Sequence, residues 1–232
     1  MFIGHYGIAF ALKKYDKKLN LGFLFIVAQL LDFAFNILVI VGIEHVRIVP
    51  GFTESNSLDL YYFPFSHSLL AAVLWAIGTY FVVRYLFLKK SEEPEMDKSK
   101  KALILGIAVF SHWILDLIVH VPDLQLSPGI EYRVGFGLWN YFFIALAVEL
   151  SVLLIGCFIY LKSATSEDNF VSNYGMLLFI FFLILMTVLT SFSPAPPNII
   201  TLMIIGLITN FLFAIIAFLL DRKRIPIDVE NL

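Results

Sequence analysis

The sequence predicts an all-α polytopic membrane protein: a bundle of about six transmembrane helices with a short apolar helix at its N-terminus. Three observations predict it. Of 232 residues, 60% are hydrophobic and only 15% charged, where a soluble domain carries about a quarter charged residues; mean hydropathy is +0.89. Apolar runs of about 20 residues recur, the length an α-helix needs to cross a hydrocarbon core ~30 Å thick. Lys and Arg fall almost wholly into alternate connecting segments, as the positive-inside rule requires.

Met1–Leu12 is apolar but only about 18 Å long as a helix, too short to span. It lies in the interface or dips into the bundle from its Lys13–Lys14 end, and then His5 reaches roughly 12 Å inward. Six spans follow: Leu21–Ile43, Ser68–Leu88, Ala102–Val121, Leu138–Leu161, Tyr174–Phe192 and Asn198–Leu220. In lipid the backbone must satisfy its own hydrogen bonds, so each is a helix. With the N-terminus in the cytoplasm, 14 Lys and Arg residues fall on that side and only Arg47 and Arg133 on the other. Both termini are then expected in the cytoplasm. Ser91–Lys101 reads as a charged cytoplasmic loop. Glu44–His67 reads as the longest outer loop, with His45 in it and the aromatic YYFPF at its end. The spans form one integral membrane domain, 1–232. The N-terminus lacks the basic residues that precede a signal peptide's apolar core. Cys157 is the only cysteine, so neither an intrachain disulfide nor a Cys-based metal site is available. A net charge of −2 with no basic stripe gives no sign of nucleic-acid binding.

The third span carries His112, Asp116 and His120, spaced i, i+4, i+8 on one helical face. An Asp near the centre of a span costs ~2.5–3.5 kcal/mol on insertion scales, and such residues usually face the bundle interior with partners. Asp32 lies mid-way along the first span, His67 at the outer start of the second and Glu149 mid-way along the fourth. By depth along the helices the group climbs from the midplane to the outer surface, so a site built from it opens outward. Imidazole and carboxylate are the ligands of Zn²⁺ and Mn²⁺ sites. Two alternatives stand beside that reading. His112 and Asp116 can form a hydrogen-bonded pair that pins helix packing, and His5, His67 and His120 can be interfacial histidines. Glu149 is expected to be a structural partner for a polar group on a neighbouring element.

Four pieces read together: IGHYG (Ile3–Gly7), AQLLDF with Asp32, FSHSLL (Phe65–Leu70) and SHWILDLIVHVPD (Ser111–Asp123). In order and type they resemble the predicted membrane-bound metal-dependent hydrolases related to the LexA-regulated inner-membrane protein of enteric bacteria. The likeness is nearest to bacterial members labelled permeases, which share GLWN, here Gly137–Asn140. It covers 1–128, which would be the metal-site-bearing part; the additional spans 138–220 show little of it. The resemblance implies that His5, Asp32, His67, His112 and Asp116 are metal-site residues. Tyr62, Phe63 and Pro64 stand where that family has His-Arg-Gly, and Ala34 and Phe35 where it has a second Asp and a His. His120 and Asp123 are available to compensate.

Two functions follow as expectations. The first is a membrane-embedded, metal-dependent hydrolase at the outer face of a bacterial cytoplasmic membrane, acting on a lipid or lipid-linked phosphoester. Its divalent ion, zinc or else manganese, is held by Asp32, His67, His112 and Asp116, with His5 or His120 completing the shell. Asp116, His112 and Asp32 are the catalytic candidates, and Arg133 is a candidate to hold a substrate phosphate. The second is a permease that uses the same cluster to bind a proton or ion in passage. A non-catalytic membrane protein with a vestigial site is the remaining alternative.

Overall fold

A computed structural model describes residues 3–166 and 170–226; Met1, Phe2 and the end of the chain lie outside them. Helix α1 (Ile3–Leu12) is followed by α2 (Leu21–Ala28) and α3 (Leu30–Ile40). A β-hairpin, β1 (His45–Ile48) and β2 (Leu58–Tyr62), leads through the single turn α4 (Pro64–His67) into α5 (Leu69–Val82), which continues as a π-turn to Phe87. Then come α6 (Glu95–Val119), a minimal hairpin of β3 (Leu124–Gln125) and β4 (Arg133–Val134), and α7 (Phe142–Ser163). The chain ends in β5 (Ala164–Ser166), α8 (Phe170–Ser191), α9 (Ile199–Asp221) and β6 (Arg224–Pro226), with β5 and β6 paired antiparallel. Among the described residues, five helices are long and apolar enough to cross a membrane, and six if α2 and α3 count as one span.

The helix starts carry the side chains that satisfy their free N–H groups. Asn20 accepts from Gly22 N (2.8 Å), Ser68 from Ala71 N (3.1 Å) and Asn198 from Thr201 N (3.0 Å). The second span is thus capped by Ser68. Two sequence expectations need correction. Ser91–Lys101 is not all loop, because α6 begins at Glu95: Glu95 and Asp97 favour its positive N-terminal end, and Lys98 Nζ pairs with Glu95 (2.9 Å, i to i+3) while Lys101 pairs with Glu93. His45 lies on β1, stacked on Tyr61 and Tyr62.

The larger correction is to Leu21–Ile43, which is two helices bent by 50° at Gln29. Neither Gly nor Pro stands at the break. The Ala28 carbonyl instead accepts a hydrogen bond from His112 Nδ1 (2.7 Å). A side chain that takes a carbonyl from the i to i+4 ladder is a recognised cause of a sharp kink.

Helix α6 is the central element: 61% of its apolar stretch is buried, against 11–28% for the other four spanning helices. Helix α5 packs on α6, and α2 packs on both α6 and α9. Helix α1 does not lie at the interface. Ile3, Tyr6, Ala9 and Phe10 are wholly buried, and α1 packs along α7 where Gly7 and Gly156 let the two backbones touch. A Cβ on either glycine would collide with the other helix's main chain, the small-residue contact by which helices approach closely in membranes. Glu149 on α7 accepts the Gly4 N–H (3.5 Å) at the buried start of α1, so one of its partners is a backbone group.

One end of the bundle is tied by a buried ion pair. Lys13 Nζ meets Asp221 Oδ2 at 2.8 Å. Asp221 also accepts from Tyr160 Oη (2.9 Å) and Leu21 N (2.9 Å), which joins the turn after α1 to α2, α7 and α9. Asp221→Ala leaves Lys13 buried and unpaired, which costs about 3–5 kcal/mol. Thermal unfolding in detergent should show a large loss of stability, largely recovered when Lys13→Met is added.

Candidate metal centre

Four elements converge at the hairpin-proximal half of α6. Helix α1 brings His5, α3 brings Asp32 in its first turn, the α4–α5 junction brings His67, and α6 with its C-terminus brings His112, Asp116 and His120. Asp116 is the hub. Its Oδ2 lies 3.1 Å from His112 Nε2 and 3.5 Å from His67 Nε2, and its Oδ1 lies 3.3 Å from His5 Nε2 and 3.9 Å from His120 Nε2. Asp32 Oδ1 lies 3.5 Å from His67 Nε2 and 3.6 Å from His112 Nε2. All six metal candidates from the sequence therefore come together. Two triads, His5–His112–Asp116 and Asp32–His67–His112, have ligand atoms close enough to hold an ion.

The imidazoles are oriented from behind, and hydrogen-bond direction fixes their tautomers. A carbonyl only accepts, so His112 Nδ1 carries the proton it gives to Ala28 O. Ser66 Oγ gives its one proton to Glu44 Oε2 (2.6 Å) and so accepts from His67 Nδ1 (2.7 Å). His120 Nδ1 donates to Asp123 Oδ1 (2.9 Å). Each of these three rings keeps Nδ1 as the outward donor and turns Nε2 inward. That arrangement, an imidazole whose other nitrogen donates to a carboxylate or carbonyl, is the usual support of a metal-ligating histidine. His5 differs: it is buried, and neither ring nitrogen makes a hydrogen bond. Its ring lies flat on that of His112, centroids 3.7 Å apart and planes 3° from parallel.

Glu44 and Trp139 contribute in roles that the sequence does not indicate. Wholly buried, Glu44 also accepts from Phe65 N (2.7 Å) and Ser66 N (2.8 Å), so it fixes the start of α4 and, through Ser66, the His67 ring. Trp113 Nε1 holds the His67 carbonyl (2.9 Å). Trp139, inside GLWN, packs on His120 at 4.2 Å between ring centroids, and Phe63 stacks on the same ring. The loop carrying Trp139 is pinned by Gly137 N to His120 O (2.7 Å), with Gly137 at φ 73, a conformation that favours glycine.

These groups roof the cluster on the hairpin side, so the expected outward opening is closed. The one member that reaches the exterior is Asp32, whose side chain is 28% exposed. Arg133 does not join the cluster. It lies on β4 and donates to Tyr61 O on β2 (3.0 Å), which ties the two hairpins together. Glu54 accepts from Phe142 N (2.9 Å) and caps α7. A cavity of about 250 Å³ lies elsewhere, at the Lys13–Asp221 end, and none of its lining residues belongs to the cluster.

Compared with models of protein families, with curated proteins and with solved structures, this chain matches none. The side chains themselves carry the functional reading.

Proposed function

We propose that the chain is a membrane-embedded, metal-dependent hydrolase whose Asp32, His67, His112 and Asp116 hold a divalent cation, with zinc the best match. One observation carries the reading. In the triad Asp32–His67–His112 the ligand atoms lie close enough to hold one ion, and Asp116 Oδ2 lies 3.1 and 3.5 Å from the same two imidazoles, near the ligand–ligand spacing of about 3.4 Å expected for bonds of about 2.1 Å. Charge supports it too. Two carboxylates in a low-dielectric interior are costly unless countered, and one divalent ion neutralises them. The resemblance to membrane-bound metal-dependent hydrolases points the same way.

A divalent ion at this place supplies Lewis-acid chemistry to an oxygen of water or substrate. The chain's own residues do the rest. Glu44 and Ser66 fix the His67 ring, the Ala28 carbonyl fixes His112, and Trp139 and Phe63 exclude water from the hairpin side. Asp32 stands at the exposed edge, where its second oxygen can take a proton from an entering water. Asp32 lies within the bent α2–α3 span, and an exposed carboxylate in a span suits a lipid or lipid-linked phosphoester arriving from the bilayer. The basic end of the molecule would face the cytoplasm of a bacterium.

The test is metal content of the detergent-purified protein together with turnover of a panel of lipid and lipid-linked phosphoesters. Asp32→Asn should preserve the fold and lower turnover by about 10²–10⁴, the range for a positioned proton acceptor. Bound metal without turnover of any phosphoester, lipid or peptide would refute hydrolysis while sparing the metal centre. Glu44→Ala, which touches no ligand atom, is expected to weaken metal affinity about 10–100-fold, read by competition with a chromogenic chelator.

The break at Gln29 favours a second reading, because transporters place substrate and ion sites at discontinuous helices. In that case Asp116 and Asp32 bind a proton or ion in passage, and Asp116→Asn should abolish a solute flux in proteoliposomes.

A further inference from the structure

We propose that the centre is binuclear: a second divalent cation sits beside the first, held by His5, His120 and the Oδ1 oxygen of Asp116, with Asp116 bridging the pair. The inference rests on the metal reading above and extends it to residues that the first ion leaves unused.

The two oxygens of Asp116 face different partners. Oδ2 faces His67 and His112 at 3.5 and 3.1 Å. Oδ1 faces His5 and His120 at 3.3 and 3.9 Å. The stacking of His5 on His112 decides between one shared ion and two. An imidazole lone pair lies in its ring plane, and these planes are 3° from parallel with centroids 3.7 Å apart. A single ion bonded to both would sit well out of each plane. Two ions, one in each plane, would be separated by about the ring spacing, which matches the ~3.5–4 Å of two-metal sites. Both rings point Nε2 at the same carboxylate, one at each oxygen, and a bridging carboxylate needs that arrangement.

The remaining members fit a ligand role. His5 is buried, and neither of its nitrogens makes a hydrogen bond; a native group in that state calls for a partner such as an ion. His120 has its tautomer set by Asp123, which leaves Nε2 for the centre. Asp123 is itself buried, and its Oδ2 makes no hydrogen bond, so a third carboxylate helps to balance the added charge. With three protein ligands the second position keeps room for a further oxygen ligand, as catalytic metal sites do.

The experiment loads the full chain with Mn²⁺ in detergent and reads stoichiometry by mass spectrometry and spin coupling by electron paramagnetic resonance. Expected are about two equivalents and the multiline spectrum of an exchange-coupled pair. His5→Ala and His120→Ala, each monodisperse by gel filtration, should hold about one equivalent and give the six-line spectrum of an isolated ion. One equivalent in the wild type, retained in both variants, would overturn the second site and leave the first standing. No bound manganese or zinc in the wild type would overturn the metal reading itself. The wild-type spectrum decides the question even if a variant fails to fold.

Discussion

Asp116→Ala should empty the centre. Asp116 is the one residue within 4 Å of all four clustered imidazoles, at 3.1–3.9 Å. A group that only orients a ligand is worth about 10–100-fold in affinity, so removal of the hub should cost more than about 100-fold. Zinc or manganese content after gel filtration should fall to background. Asp116→Asn keeps the volume and one carbonyl oxygen but loses the charge, and it should still fail to retain metal. The alternative physics predicts something else. If the cluster were held together by protonated histidines against two carboxylates, Asp116→Ala would leave buried charge uncompensated. Stability would then collapse, and the wild type would carry no metal at all. Metal analysis of the wild type beside both variants separates the two outcomes in one preparation.

Gly156→Val should push α1 off α7 and take His5 with it. A Cβ at this position would overlap the Gly7 main chain, and a main chain cannot move aside as a flexible side-chain tip can. Overpacking commonly costs about 1–3 kcal/mol, and a clash with backbone belongs at or above the upper end. His5 lies two residues before Gly7 on the same short helix, so its contact with Asp116 should be lost first. In a Cys157→Ser background, His5→Cys should resist maleimide labelling while Gly156 is present and label readily once Gly156→Val is added. Equal protection in both would mean that the helix seam does not position His5.

Much of this architecture was legible in the chain. Five spanning helices fall where the apolar runs place them, because each must bury its own backbone hydrogen bonds in lipid. The site residues were legible for the same reason in reverse: His112 and Asp116 in an apolar run are costly and therefore point to partners. The depths of Asp32 and His67 named those partners. The helix break at Gln29 was not legible. No Gly or Pro marks it, and its cause is a histidine 84 positions away that takes the Ala28 carbonyl. Glu44 was hidden similarly. It reads as one acid in a polar loop, and only the fold brings it to the N–H groups of Phe65 and Ser66. Trp139 was visible within GLWN, but nothing local says that it covers His120. Direct i to i+4 spacing survives in sequence, whereas support from behind a ligand depends on tertiary proximity.

The buried seat of α1 also has a consequence for biogenesis. Besides α2 and α6, it packs most extensively on α7, through Gly156, and it reaches α9 through Tyr6 Oη on Asn210 (2.8 Å). Those segments leave the ribosome long after α1 does. The earliest described helix to be translated therefore completes its seat only once later spans are in place. A truncated or stalled chain would keep Asp32, His67, His112 and Asp116 but lack the α7 and α9 contacts that complete the seat of His5.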